Sequence, residues 1–219
     1  MFGSKPSFAV LFDMDGTLID SEPYWLASEQ ALAAEHNGKW THEDGLSVVG
    51  MSLDDSSKVF KDKASVDLEP SEIVTRLTAD VQSQLQKVIP WRPGAKELLL
   101  DLRKHGVKTA LVTMSLRRMA QQVVDAIGFD AFDVIVAGDD VLRGKPHPEP
   151  YLKAAEQLGF SPGHCIAFED SISGITSAEA AGTIAIGIPN FVKIPEQEGR
   201  ILWESFEGVT YKTLRKFVK

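Results

Sequence analysis

The sequence predicts an α/β protein: a doubly wound parallel sheet with an α-helical insertion after its first strand. The first observation is an apolar run at residues 8–12 that ends in acids, which is typical of a buried strand. The second is an alternation of short apolar runs with helical patterns over residues 93–188, which is typical of parallel strands joined by crossover helices. The third is a long polar stretch of helical character between these regions. We therefore expect residues 1–19 and 89–219 to form the core that contains the sheet, and residues 20–88 to form a helical insertion.

Each element of the alternating region is predicted from its apolar pattern and from the residues that mark its ends. Proline stands near the start of several helical patterns and glycine closes them, the usual asymmetry of helix ends. Helices are predicted over residues 93–106, 116–128, 147–159 and 171–182. Short apolar strands, expected to be buried on both faces, are predicted over residues 107–113, 132–138, 164–170 and 183–188. The stretch after residue 189 carries no motif, and we expect it to close one edge of the sheet.

Composition narrows the classes of function. The formal net charge of −8 argues against nucleic acid or an anionic membrane surface as the main partner, because both favour a basic face. A single cysteine, Cys165, excludes an internal disulfide framework and fits a reducing compartment. No apolar run reaches membrane-spanning length, and the short N-terminal apolar run ends in acids, unlike a signal peptide. We expect a cytoplasmic protein.

Chemically active side chains follow the predicted strands. In sheets of this kind, ligands bind outside the carboxyl ends of the strands. These ends carry Asp13 and Asp15, Thr113, Lys145, and Glu169 with Asp170. Residues two apart in an extended chain point the same way, so Asp13 and Asp15 should converge. Carboxylates suit Mg²⁺, and a lysine with hydroxyls suits phosphate oxygens, so the pattern predicts a small phosphorylated metabolite as partner.

Four short segments resemble the motifs of the haloacid dehalogenase superfamily. They are DMDGTL, the strand tip at Thr113, GKPHP around Lys145, and EDSISGI. The resemblance covers the first strand and residues 90–190, and the helical stretch lies where that superfamily inserts its α-helical cap. Within the superfamily the sequence is most similar to the β-phosphoglucomutase-like subgroup, and DSEPYW at residues 20–25 resembles its sugar-phosphate phosphatases.

The resemblance implies a mechanism for these residues. Asp13 is expected to attack phosphorus and form an aspartyl-phosphate, and Asp15 to act as general acid and then general base. Lys145 and Thr113 are expected to hold the transferring group.

The resemblance also implies a cofactor. Mg²⁺ is expected to be bound by Asp13, by the backbone carbonyl of Asp15 and by Asp170. Glu169 is expected to contact the ion through water or through its other ligands.

The cap is expected to decide the reaction. The residues expected to contact substrate are Trp25, Ser52, Thr113, Met114, Ser115 and Lys145. Where the mutases of the subgroup carry a histidine this chain has Trp25, and where their cap loop carries an arginine it has Leu53. These departures favour a Mg²⁺-dependent phosphatase of small sugar or polyol phosphates, expected to be a monomer. The alternatives are a β-phosphoglucomutase-like mutase and a non-catalytic binding module, although none of the motif residues is lost.

Overall fold

The computed structural model describes residues 7–218 and contains one six-stranded parallel sheet. Its strands are β1 (Ala9–Phe12), β2 (Lys108–Val112), β3 (Val134–Val136), β4 (Cys165–Glu169), β5 (Ile184–Gly187) and β6 (Ile201–Leu202). They lie in the order β3-β2-β1-β4-β5-β6. The predicted doubly wound parallel sheet is therefore confirmed, and β6 lies at its edge beside β5, where the C-terminal stretch was expected.

The register places three strand ends side by side. Phe12, the last residue of β1, pairs with Leu111 of β2 on one side and with Phe168 of β4 on the other. The residues that follow these central strands therefore emerge at the same edge of the sheet. This edge is where the sequence places its acids and hydroxyls.

Helices cover both faces of the sheet. In the core they are α5 (Ala95–Lys104), α6 (Arg117–Ile127), α7 (Glu149–Leu158), α8 (Ile172–Ala180) and α9 (Tyr211–Leu214), with short 3-10 turns at Gly138–Asp140 and Pro162–His164. Alternate side chains of β1 enter two separate apolar clusters: Val10 and Phe12 pack on one face, and Ala9 and Leu11 on the other. Because both faces are covered, β1 is apolar throughout rather than alternating. Across residues 7–218, no helix is long and apolar enough to span a membrane.

The segment between β1 and α5 is helical. It contains α1 (Glu22–Glu35), α2 (His42–Val48), α3 (Leu53–Ala64) and α4 (Pro70–Leu85), and none of its described residues lies in a strand of the sheet. We call residues 20–88 the cap; its exact boundaries remain a prediction. The helices α1, α3 and α4 pack together around buried apolar side chains such as Phe60 and Ile73.

The two chain segments that connect cap and core run next to each other. Ile19 on the outgoing segment and Trp91 on the returning one form an antiparallel β-bridge. The Asp20 amide donates to the Pro90 carbonyl at 2.7 Å. The two crossings are therefore hydrogen-bonded to each other.

Asn190, in the loop after β5, joins both crossings through its side chain. Its amide oxygen accepts from the Arg92 guanidinium at 2.5 Å, and its amide nitrogen donates to the Asp20 carboxylate at 3.0 Å. One core side chain thus contacts the outgoing and the returning segment.

Candidate active site

The segment after β1 directs its two acids away from the core. The Asp13 amide donates to the Phe168 carbonyl at 3.1 Å, which continues the sheet by one residue. Met14 is fully buried, so Asp13 and Asp15 lie on the opposite side of the segment. The chain then turns at Gly16, whose φ of +78° is the left-handed region that favours glycine. A Cβ at Gly16 would also lie 2.1 Å from Asp170 Oδ2, so the turn and the approach of Asp170 both require glycine.

Lys145 reaches into this site from the loop before α7. Its ammonium donates to Asp13 Oδ1 at 2.6 Å and to the Val112 carbonyl at 2.9 Å, and it lies 2.6 Å from Glu169 Oε1. Burial lowers the pKa of Lys145, but the charges of Asp13 and Glu169 outweigh it and the net pKa is raised. Lys145 is therefore a permanent cation between two buried acids.

Glu169 supports Lys145 from the end of β4. Its Oε1 also accepts from the hydroxyl of buried Tyr151. Burial raises the pKa of Glu169 to about 7, with Lys145 opposing the rise. A Cβ at Gly174 would lie 1.8 Å from Glu169 Oε2, so this carboxylate is packed against the first turn of α8.

Three carboxylates form a cluster suited to a divalent cation. Asp13, Glu169 and Asp170 each present an oxygen within 4.8 Å of the others. Among residues 7–218, Asp13 Oδ2, Glu169 Oε2 and Asp170 Oδ2 are buried without a hydrogen-bond partner. The pKa values of Asp13 and Asp170 are raised, first by burial and then by neighbouring acids. Buried, unpartnered carboxylate oxygens are costly unless a cation binds them, and hard oxygen donors fit Mg²⁺.

The Asp15 side chain lies outside this cluster and is held by four donors. Its Oδ1 accepts from the Ser21 hydroxyl at 2.5 Å and from the Trp25 indole at 3.3 Å, both on the cap side. Its Oδ2 accepts from Ser115 at 2.7 Å and from Thr113 at 3.3 Å, both after β2. The sequence did not indicate Ser21, and it placed Thr113 on the phosphoryl group rather than on Asp15. The Asp15 side chain thus bridges the cap and the core.

A cavity of about 200 Å³ lies above these acids, between core and cap. From the core it is lined by Asp13, Asp15, Thr113, Met114, Ser115, Lys145, Asp170, Ser171 and Phe191, and from the cap by Glu22, Pro23, Trp25, Leu26, Glu29, His42, Gly45, Leu46, Val48, Val49, Gly50, Met51, Leu53 and Ser56. The structure therefore brings together every residue predicted to contact substrate except Ser52.

Ser52 is instead the N-cap of α3. Its hydroxyl accepts from the Asp55 amide at 3.1 Å and donates to the Asp55 carboxylate at 2.8 Å. Its neighbours Met51 and Leu53 line the cavity. The structure thus gives the Ser52 hydroxyl a capping role, and its substrate contact stays a prediction.

Sequence reasoning missed two acids of the cavity wall, Glu22 and Glu29. With Trp25 and Leu26 they follow the spacing i, i+3, i+4, i+7, which marks one face of α1. The pKa of Glu22 rises to about 8, through burial first and then the charges of Asp15 and other acids. Burial raises the pKa of Glu29 to about 7. The available signal was the helical spacing of these acids relative to Trp25.

The comparison with known families agrees with this geometry. The profile of the family described as "Haloacid dehalogenase-like hydrolase" matches residues 10–188, from β1 to just beyond β5. The chain belongs to the haloacid dehalogenase-like hydrolases. The predicted resemblance is confirmed.

Several relatives of this family match most of the chain. Hexitol phosphatase B of Escherichia coli (strain K12) is 31% identical over 185 residues, 83% of each protein. A β-phosphoglucomutase of Bacillus subtilis (strain 168) is 29% identical over 188 residues, 82% of each. The chain spans 50% of a bifunctional riboflavin kinase/FMN phosphatase of Arabidopsis thaliana, to which it is 30% identical over 191 residues. A crystal structure of a CbbY variant from Rhodobacter sphaeroides in complex with xylulose-(1,5)bisphosphate superposes with a TM-score of 0.85 at 26% identity, covering 94% of this chain and 98% of that one.

Proposed function

We propose that this hydrolase is a Mg²⁺-dependent phosphatase of small sugar or polyol phosphates that acts through an aspartyl-phosphate. One observation carries the proposal: Asp13 is paired with Lys145 at 2.6 Å, while its second oxygen lies unpartnered beside Glu169 and Asp170 below the cavity. A nucleophile, a fixed cation and a candidate cation site thus share one point. The phosphatases among the related proteins point to the same class of reaction.

Asp13 is the proposed nucleophile because Lys145 engages only one of its oxygens. Lys145 fixes the carboxylate by donating to Oδ1 at 2.6 Å, and Asp13 lines the floor of the cavity where a phosphoryl group would bind. Its attack forms an Asp13–phosphorus bond as the bond from phosphorus to the ester oxygen breaks. Lys145 is placed to offset the negative charge of the transferring oxygens.

Asp15 is the proposed acid and base. It protonates the departing ester oxygen, then removes a proton from the water that cleaves the aspartyl-phosphate. Donors from the cap and from the end of β2 hold its two oxygens, so its orientation depends on the cap being seated over the core. The apolar cap wall admits a small alcohol beside this acid.

The charges of the cavity support a metal requirement. Five carboxyl side chains line it (Asp13, Asp15, Glu22, Glu29 and Asp170), and among the described lining residues Lys145 is the one lysine or arginine. Burial and mutual repulsion raise the pKa values of Asp13, Asp170 and Glu22, and a bound cation would relieve that repulsion. We assign Mg²⁺ to Asp13, Asp170 and the backbone carbonyl of Asp15; once bound, it would neutralise charge on the phosphate. Glu169, whose Oε1 is engaged by Lys145 and Tyr151, supports the ligands from behind.

The cavity favours hydrolysis over the mutase alternative. A mutase that uses a bisphosphate needs cationic groups for its second phosphate. Of the described residues that the cap contributes to the wall, none is lysine or arginine, and Leu53 stands where the mutases of the subgroup carry arginine. Trp25, in place of their histidine, contacts Asp15.

Phosphate release tests the proposal. Purified protein is assayed against hexitol, hexose, pentose and glycerol phosphates, with Mg²⁺ and with excess EDTA. We expect turnover that EDTA abolishes, and loss of at least about 1,000-fold in kcat for Asp13→Asn, because the nucleophile is removed. Asp62→Asn, the same change at an exposed site on α3, should match wild type.

Two results would overturn the proposal. One is an absence of turnover on every ester with Mg²⁺ present. The other is an Asp13→Asn variant as active as Asp62→Asn. Conversion of a hexose 1-phosphate to its 6-phosphate, stimulated by a bisphosphate and faster than hydrolysis, would establish the mutase instead.

A further inference from the structure

One face of α1 runs along the cavity from the acid Asp15 outward. The Trp25 indole reaches Asp15 at 3.3 Å, and Glu29 lies one turn farther along the helix, about 6 Å at the helical rise of 1.5 Å per residue. Both side chains line the cavity. A molecule whose phosphate binds beside Asp13 would therefore extend its alcohol portion along this face toward Glu29.

Glu29 is a buried acid with one oxygen unpaired. The side chain belongs to a residue only 8% exposed, and its Oε2 accepts from the Trp40 indole at 2.7 Å. Trp40 is itself buried and packs edge-on against Phe60, so the donor is fixed. In the described part of the chain this is the one hydrogen bond that Glu29 makes, so its Oε1 has no protein donor, and the residue lines the cavity.

An unpaired carboxylate oxygen in such a place discriminates between ligands. Water can reach this oxygen in the free protein, so a ligand that displaces the water without supplying a donor costs free energy, whereas a ligand hydroxyl group replaces the lost hydrogen bond. A second phosphate or a carboxylate on the ligand would instead face Glu29 and Glu22, which repel it once the pH is above their raised pKa values of about 7 and about 8. Two lining residues could supply positive charge against this repulsion, and neither is well placed to do so. His42 on the cap wall is exposed, and Lys145 is already engaged by Asp13.

We propose that Glu29 is a specificity residue that selects phosphate monoesters whose alcohol portion carries hydroxyl donors and no second anionic group. The inference deepens the proposed function and rests on it. It identifies the substrate class as neutral polyhydroxy phosphates, and it separates this chain from proteins that accept bisphosphates.

The first test compares substrates on the wild-type enzyme, and this and the following comparisons are made at pH 9, where Glu29 and Glu22 are ionised. Sorbitol 6-phosphate supplies hydroxyls without a second charge, n-hexyl phosphate supplies neither, and xylulose 1,5-bisphosphate and 2-phosphoglycolate add an anion. We expect kcat/KM for sorbitol 6-phosphate to exceed that for hexyl phosphate by about 10-fold or more, and that for either substrate with a second anionic group by about 100-fold or more. Comparable values for sorbitol 6-phosphate and the two anionic substrates would overturn the inference.

The second test assigns the preference to Glu29. Glu29→Gln keeps the shape and an acceptor for Trp40 but removes the charge, so we expect the preference for sorbitol 6-phosphate over xylulose 1,5-bisphosphate to fall by about 10-fold. Glu43→Gln, the same change at an exposed position of α2, is the matched control and should leave the preference unchanged. If Glu29→Gln and Glu43→Gln give the same ratio, Glu29 is not the selecting group.

A third variant guards against a folding defect, and two further substrates separate the proposals. Trp40→Phe removes the donor that holds down the pKa of Glu29, but at pH 9 the carboxylate stays ionised, so we expect a raised KM for sorbitol 6-phosphate with the rejection of bisphosphate retained. Rejection lost in Trp40→Phe would contradict a charge-based selection.

Acetyl phosphate and 4-nitrophenyl phosphate report on phosphoryl transfer alone. If they are hydrolysed and the enzyme does not discriminate among alcohols, only this inference is wrong. If no ester is hydrolysed, the proposed function is wrong.

Discussion

Gly16→Ala should remove the cation site while leaving the fold in place. The added Cβ would lie 2.1 Å from Asp170 Oδ2 and 2.8 Å from its carboxyl carbon, both far inside ordinary van der Waals contact. We expect the buried Asp170 carboxylate to be displaced by this clash, which changes its position relative to the other two acids. The substitution therefore disperses the three-carboxylate cluster without touching a ligand side chain.

Backbone strain is a second effect and needs a matched control. Alanine at a φ of +78° costs about 1–2 kcal/mol. Gly128, the C-cap of α6, has a φ of +81°, and a Cβ added there would meet no atom within 4 Å, so Gly128→Ala carries the strain without the clash. The difference in Mg²⁺-induced stabilisation between Gly16→Ala and Gly128→Ala therefore isolates the effect of the clash on the three-carboxylate cluster.

The assay is thermal unfolding in EDTA and in rising Mg²⁺. A ligand at about 100 times its Kd stabilises the folded state by about 2.7 kcal/mol, which for a chain of this size raises Tm by roughly 5–10 °C. We expect that rise for wild type and for Gly128→Ala, and a rise below about 2 °C for Gly16→Ala. A full Mg²⁺-induced rise in Gly16→Ala, or none in wild type, would refute the reasoning about the site.

Three further outcomes follow from the described contacts. Lys145→Met should lower the free energy of unfolding in urea by about 3 kcal/mol, because it leaves Asp13 and Glu169 buried without their counter-charge. A loss below about 1 kcal/mol would contradict a buried ion pair. Burial raises the pKa of Glu29 from 4.5 to about 7, so between these pH values the folded state retains a proton that the unfolded state has released. As the pH rises from 4.5 to 7, the free energy of unfolding of wild type should therefore fall by on the order of 3 kcal/mol more than that of Glu29→Gln in matched urea titrations. Identical pH profiles for the two proteins would contradict this. Gly50→Ala should raise KM several-fold with a smaller effect on kcat, because a Cβ there would lie 2.8 Å from Ser171 and push the cap loop away from the core. Gly199→Ala is the control, since a Cβ at Gly199 meets no atom within 4 Å and should leave KM unchanged. An unchanged KM in Gly50→Ala would show that the contact between Gly50 and Ser171 does not contribute to cap closure.

The core of the site could be predicted because parallel strands impose an order on distant residues. Asp13 and Lys145 are 132 positions apart, yet the strand-end rule places both at one edge, and the structure joins them at 2.6 Å. The period of two along β1 separated Asp13 and Asp15 from buried Met14 in the same way. These inferences needed only local periodicity and the topology of the sheet.

The cap could not be predicted in the same detail, because its contacts depend on how helices are oriented against the core. Nothing in the local pattern places Ser21 and Trp25 on Asp15. Ser52 was different: an acid three residues later, Asp55, is the signature of a helix start and already favoured a capping role. Glu29 was not predicted because the buried face of a helix is inferred from its apolar residues, and this acid lies on the same face as those residues.

The pair of crossings described at the base of the cap constrains how this molecule can open. Since the outgoing and returning segments are bonded to each other and both to Asn190, neither can bend without the other. We therefore expect the cap to rotate about a single axis at these crossings, rather than to move on two independent segments. Trp25 would leave Asp15, and Gly50 would leave Ser171, in one concerted swing, so access to the nucleophile and alignment of the acid would be set by the same coordinate.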